Sequence, residues 1–174
     1  ITNARVVCPD GLINGTILME NGRLLAVGRV LPPQDAVIHD AHGQYVGPGF
    51  IDIHCHGGGM ARGHEEPHKA AAYHLAHGTT SLLLSLAYSL AKEQWIEGIT
   101  KIKEAMHEPL TNLVGIHFEG PYTNPKYGAR SRLAWQIDAA DYQMLFELAN
   151  GLVRQCTYAP ELEGIRNFAR YAKA

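Results

Sequence analysis

Cysteine is scarce. The 174 residues hold three, Cys8, Cys55 and Cys156. An odd number at wide spacing is no disulfide framework, and reads as reduced thiols in a reducing compartment, the cytoplasm. Charge of one sign is missing too: 15 Lys and Arg stand against 17 Asp and Glu, a net charge of -2. Such a balance leaves no electrostatic footprint for nucleic acid or an anionic membrane surface. No apolar run approaches the ~20 residues of a membrane span. The opening segment, Ile1 to Pro9, carries a single Arg and lacks the apolar core of a signal peptide. Solenoid-type repeats are absent as well. Disorder is excluded by composition, with 46% hydrophobic and 18% charged residues. The residue present in excess is histidine, of which there are ten.

Two textures divide the chain. Residues 1–48 read as an all-β unit, the N-terminal part of a small β-sandwich. Ala4 to Cys8 is a β-prone run closed by the turn Pro9-Asp10-Gly11, and Gly15 to Met19 is the next. Asn21-Gly22 between apolar runs is a strong hairpin signal, leading into Leu24 to Gly28. Ala36 to Asp40 and Gln44 to Val46 are predicted as further short strands, with no helix before residue 65.

After Gly47-Pro48-Gly49 the pattern changes, and residues 49–174 form a second unit. Predicted strands at 50–56, 79–86, 113–119 and 153–158 alternate with predicted helices at 67–77, 92–106, 137–150 and 164–174. Pro67 suits a first helical position, and Gly78 and Gly151 suit helix ends. Trp95, Ile99, Ile102 and Met106 keep helical spacing. Four strand–helix pairs imply right-handed βα units around a parallel sheet. A full (β/α)₈ barrel takes roughly 250 residues, so this chain is expected to hold the first four βα units of a partial TIM-type barrel.

The chemistry-bearing residues sit at predicted strand ends. His54 and His56 are two apart, so both imidazoles leave the same face of the strand. Asp52 shares their parity, whereas Ile51, Ile53 and Cys55 point to the apolar side. Two neutral imidazoles converging at a C-terminal strand end suit Zn²⁺ or another borderline divalent ion. Gly57-Gly58-Gly59 follows and leaves room for close backbone approach; it lacks the spacing of a phosphate fingerprint. On the third strand Gly115, His117 and Glu119 form the inward face. A carboxylate there is costly to bury unless paired or bound to a cation, so Glu119 reads as a metal ligand or a rim salt-bridge partner. For His117, ligand, substrate contact and buried structural histidine all stand open. The other histidines have blander readings. His68, His74 and His77 are solvated helix residues, His64 lies in a loop, and His39, His42 and His107 are at the surface.

Several stretches together resemble a known family. Pro-Gly-Phe-Ile-Asp-Ile-His-Cys-His-Gly at 48–57 resembles the first metal motif of the amidohydrolase superfamily. His-Gly-Thr-Thr at 77–80, Gly-Ile-His-Phe-Glu-Gly-Pro-Tyr at 115–122 and Ala-Pro-Glu at 159–161 resemble its N-acetylglucosamine-6-phosphate deacetylase branch. The resemblance covers nearly the whole chain, as an N-terminal portion. It implies one or two divalent metals, zinc first among them, at the rim of the barrel, with His54, His56 and Glu119 as ligands. It also implies a small-molecule N-acetyl sugar phosphate as substrate, amino sugar metabolism as the setting, and a homodimer for the full-length protein. The family hydrolyses amides with a metal-activated water, and an Asp moves the proton. That Asp and two further metal histidines are expected downstream of residue 174, so no catalytic residue is assigned within it.

The loop after Glu119 is expected to bind substrate through Asn124, Lys126, Gly128, Ala129 and Arg130. It departs from the branch, in which many members carry a histidine after a similar turn. Three readings stand open: Arg130 holds a phosphate bidentately, the pocket takes another N-acyl substrate, or Arg130 is an exposed loop arginine. The leading expectation is a metal-dependent deacetylase whose 174-residue portion is inactive alone. The alternatives are an amidohydrolase acting on an N-acyl amino acid or cyclic amide, and a truncated barrel that binds metal or a partner without turnover.

Overall fold

The structure is a computed structural model that describes residues 1–127 and 135–174. The chain forms two compact units, Ile1–Pro48 and Gly49–Ala174. No helix among the described residues is long and apolar enough to cross a membrane.

The first unit is one four-stranded sheet. Strand β1 (Ala4–Cys8) turns at Pro9-Asp10 into β2 (Gly11–Glu20), which pairs with it antiparallel, and β3 (Arg23–Gly28) pairs with β2. The β2–β3 turn is Asn21-Gly22, both at positive φ (49° and 73°), as a type I′ hairpin requires. β4 (Tyr45–Val46) adds parallel to β1, giving the order β3-β2-β1-β4.

Two expectations fail here. β2 starts at Gly11 rather than Gly15, because Gly11 to Asn14 pair with β1. Ala36 to Asp40 is not a strand: it makes only the isolated bridge between Thr2 and Asp40. Val37 and Ile38 are exposed there, so the apolar run gains no face to bury. The buried core of this unit is Ala4, Val6 and Ile17, and no second sheet covers it within the unit among the described residues.

The second unit opens with β5 (Phe50–Cys55), then a short hairpin of β6 (Gly57–Gly58) and β7 (Ala61–Arg62). α1 (Pro67–Ala76), β8 (Thr79–Leu86), α2 (Lys92–Ala105), β9 (Leu113–Glu119), α3 (Ala139–Ala149), β10 (Val153–Thr157) and α4 (Ile165–Lys173) follow. The large sheet runs β5-β8-β9-β10, all parallel. It is a curled half-barrel of four βα units, consistent with a partial TIM-type barrel.

Local chemistry explains the element ends. Asp138 caps α3 by accepting from the Ala140 amide at 2.9 Å. Asn150 closes it in the left-handed region at φ 48°. Between sheet and helices, Leu82, Leu84, Leu86, Trp95, Ile99, Ile102, Ile116 and Phe118 are almost wholly buried. Trp95, Ile99 and Ile102 hold one face of α2 against the strands, and the Trp95 indole donates to the Ala87 carbonyl at 3.1 Å.

Alternation on β5 has a different outcome from the one expected. Cys55 is buried, yet Ile51 and Ile53 are 73% and 53% exposed, because β5 is an edge strand of this sheet.

Candidate metal centre

The register of the parallel sheet sets the site. β5 delivers His54 within the strand and His56 one residue past its end, and β9 delivers Glu119 as its last residue. Here C-terminal strand ends of a parallel sheet present side chains to a common rim. The Nε2 atoms of His54 and His56 stand 3.3 Å apart. His54 Nε2 is 3.2 Å from Glu119 Oε1, and His56 Nε2 is 3.1 Å from Glu119 Oε2. The three residues thus offer ligand atoms around one point. A tetrahedral ion with bonds of about 2.0–2.1 Å has ligand–ligand edges of about 3.3–3.4 Å, close to these spacings.

The electrostatics fit a cation. Glu119 is mostly buried, and its Oε2 has no hydrogen-bond partner, since the His56 approach lacks hydrogen-bond geometry. A buried carboxylate oxygen without a donor is costly, and a positive ion between the three groups removes that cost.

His117 lies behind this cluster, fully buried, its ring centroid 4.6 Å from that of His54. Its Nδ1 is 2.8 Å from Ser85 Oγ and its Nε2 is 2.9 Å from Thr157 Oγ1. Burial, with the His54 and His56 imidazoles adding to it, pushes its pKa down to about 4. Of the three readings open in the sequence, the buried structural histidine matches these contacts.

Asp52 does not join the histidines. The β5–β8 pairing is irregular between Asp52 and Cys55, which interrupts simple alternation. Asp52 Oδ1 accepts from the His54 amide at 3.0 Å, and an Asp52 oxygen groups instead with Cys55 and His74. His74 is therefore no solvated helix residue: it is half-buried, with Nε2 3.1 Å from Cys55 Sγ. Helical spacing marks its face only weakly, and the β6–β7 hairpin that it packs beside has no clear sequence signal beyond its glycines. His68 and His77 are exposed as expected. His64 is not free in its loop, for it packs where Gly98 of α2 leaves room.

In the expected substrate loop, Asn124 Nδ2 donates to Glu161 Oε1 at 2.9 Å, and Asn124 Oδ1 accepts from the Lys126 amide at 3.0 Å. The Lys126 ammonium lies 5.2 Å from the Tyr127 ring centroid. Gly128, Ala129 and Arg130 fall outside the described residues.

No family model matches the chain. The N-acetylglucosamine-6-phosphate deacetylase of Bacillus subtilis is 27% identical over 175 residues, which cover 92% of this chain and 43% of the relative. The crystal structure of the N-acetyl-D-glucosamine-6-phosphate deacetylase from Mycobacterium smegmatis superposes with a TM-score of 0.76 at 28% identity, covering 98% of this chain and 50% of that one. A point mutant of that enzyme, with a TM-score of 0.75 at 26% identity, is in complex with N-acetyl-D-glucosamine-6-phosphate. A dihydroorotase of Anaeromyxobacter dehalogenans is 39% identical over 59 residues, 32% of this chain and 14% of the relative. The chain thus spans half or less of the length of each of these relatives. With its half-barrel sheet and its motifs at 48–57 and 115–122, the chain is similar over nearly its whole length to N-acetylglucosamine-6-phosphate deacetylases, enzymes of the amidohydrolase superfamily.

Proposed function

We propose that this chain is part of a metal-dependent amide hydrolase that deacetylates N-acetylglucosamine-6-phosphate. The observation that carries the reading is the convergence of His54, His56 and Glu119 on one point at the rim, with ligand atoms 3.1–3.3 Å apart. These three residues would hold a divalent cation, zinc by the chemistry of the donor set. When bound, such an ion polarises an amide carbonyl and acidifies a water.

The chain's own residues do the positioning. Buried Glu119 places its carboxylate against both imidazoles, and His117, Ser85 and Thr157 brace the strands underneath. Asn124, tied to Glu161, fixes the start of the loop that carries Lys126 and, beyond the described residues, Gly128, Ala129 and Arg130. In this reading the loop supplies the phosphate contacts. The deacetylases that the chain resembles over nearly its whole length support the sugar-phosphate substrate.

A second reading, a cyclic amide as substrate, is favoured by the dihydroorotase match over 59 residues. The proposed ligands number three, so residues 1–174 by themselves are proposed to turn over poorly.

The test is hydrolysis of N-acetylglucosamine-6-phosphate and of dihydroorotate, side by side, with added zinc. Both the 174-residue chain and a longer protein that carries it are assayed. Acetate release by the longer protein, lost with Glu119→Gln, supports the first reading. Turnover of dihydroorotate alone supports the second. A 174-residue chain within tenfold of the longer protein would overturn the proposed incompleteness.

A further inference from the structure

The face of β5 that carries Cys55 holds a second group of ligand-type side chains. Cys55 is buried at the end of β5, and His74 reaches it from the last turn of α1. Cys55 Sγ lies 3.1 Å from His74 Nε2 and 3.3 Å from the Gly57 carbonyl oxygen, and His74 Nε2 is 3.1 Å from that same oxygen. An oxygen of Asp52 completes the group, with the Asp52, Cys55 and His74 ligand atoms all within 4.8 Å of one another.

The backbone is shaped around the imidazole. A Cβ at Gly58 would stand 2.8 Å from His74 Nε2 and 2.7 Å from Tyr73 Cδ1, so only glycine leaves His74 its place. Gly57 sits at φ 152°, and a Cβ there would meet the Ala61 carbonyl oxygen at 2.1 Å. The β6–β7 hairpin is thereby pressed close to α1, with the Gly57 oxygen aimed at the sulfur and the nitrogen.

We propose that Asp52, Cys55 and His74 form a second metal site, distinct from the His54–His56–Glu119 centre, that takes one zinc-class divalent cation through sulfur, nitrogen and oxygen. Sulfur with imidazole and a carboxylate selects zinc or cobalt over magnesium or calcium, which prefer all-oxygen sites. A tetrahedral zinc with bonds of about 2.3 Å to sulfur and about 2.0–2.2 Å to nitrogen and oxygen has edges of about 3.3–3.6 Å. The observed spacings between Cys55, His74 and the Gly57 oxygen are within a few tenths of an ångström of those edges. Bound there, the cation cross-links β5, α1 and the hairpin, and so braces the strand that carries His54 and His56. The role is structural and independent of the proposed hydrolysis.

The test is spectroscopic, because only this site contains sulfur. The metal-free chain is titrated with Co²⁺, and a near-ultraviolet sulfur-to-cobalt charge-transfer band is expected. Cys55→Ser removes the band and one equivalent of cobalt. Glu119→Gln keeps the band, and so does the Cys8→Ser, Cys156→Ser double variant. Zinc X-ray absorption on the unsubstituted chain gives a readout that no variant's folding can confuse: a sulfur bonded to the zinc at about 2.3 Å is expected. Zinc bonded to nitrogen and oxygen alone, or a band that survives Cys55→Ser, overturns the site and makes the cluster a set of hydrogen bonds.

Discussion

Ser85 Oγ and His117 Nδ1 lie 2.8 Å apart on paired rows of β8 and β9, in a region where both side chains are closed to solvent. Ser85 Oγ also accepts from the Cys55 amide at 3.1 Å, and His117 Nε2 reaches Thr157 Oγ1 at 2.9 Å. One line of polar contacts therefore crosses all four strands of the half-barrel directly beneath the candidate metal centre. Ser85→Ala strips a partner from the buried imidazole. It is expected to lower stability by about 1–3 kcal/mol, read by urea denaturation. A loss near zero would mean that the line of contacts carries no weight.

Zinc affinity at the rim should depend on all three proposed ligands. His54→Ala, His56→Ala and Glu119→Gln are each expected to weaken binding by at least about tenfold, measured by competition with a chromophoric chelator. His68→Ala, an exposed helix histidine, should leave binding unchanged.

Helix α2 is held by a side chain with no exposed surface. Trp95 packs edge-on against Phe118, ring centroids 5.0 Å apart. Trp95→Ala is expected to cost about 3–5 kcal/mol, seen as a fall in the denaturation midpoint with unchanged slope. Trp135 contributes much less burial, and its truncation should cost less.

In the first unit, Gly15 is the place where two strands come close. A Cβ there would lie 2.4 Å from the Gly28 carbonyl oxygen. Gly15→Ala must therefore push β2 off the end of β3. Hydrogen exchange should report faster opening of Thr16 to Glu20 in that variant, with the amides of β8 and β9 unaffected.

Burial pushes the Cys156 thiol from its ordinary 9.0 up to about 11. Its neutral form is favoured in the folded chain, while the unfolded chain loses the proton sooner. The associated stability is fully present below about pH 9 and is lost as pH rises through about 11. Denaturation midpoints measured from pH 8 to about 11 should fall, and the fall should be shallower in Cys156→Ala.

Much of the architecture is legible in the amino-acid order because local physics dominates there. Asn21-Gly22 fixes a hairpin through its two positive-φ residues. The spacing of Trp95, Ile99 and Ile102 places one face of α2 in the core. Parity along two strands, together with the motif likeness, picked out His54, His56 and Glu119, and the sheet register brings them to one point.

Tertiary structure decided the rest. Ala36 to Asp40 has strand-like residues but is bridged only at Asp40, by Thr2, so propensity alone does not make it a strand. Asp52 has the parity of His54 but leaves its company, because the pairing slips between Asp52 and Cys55. His74 reads as a surface helix residue until the β6–β7 hairpin folds beside it and the missing Cβ of Gly58 gives its ring a place against Cys55. Sequence periodicity reports which face of an element is apolar. Which distant polar groups meet across that face depends on register slips and close backbone approaches, set by contacts between residues far apart in the chain.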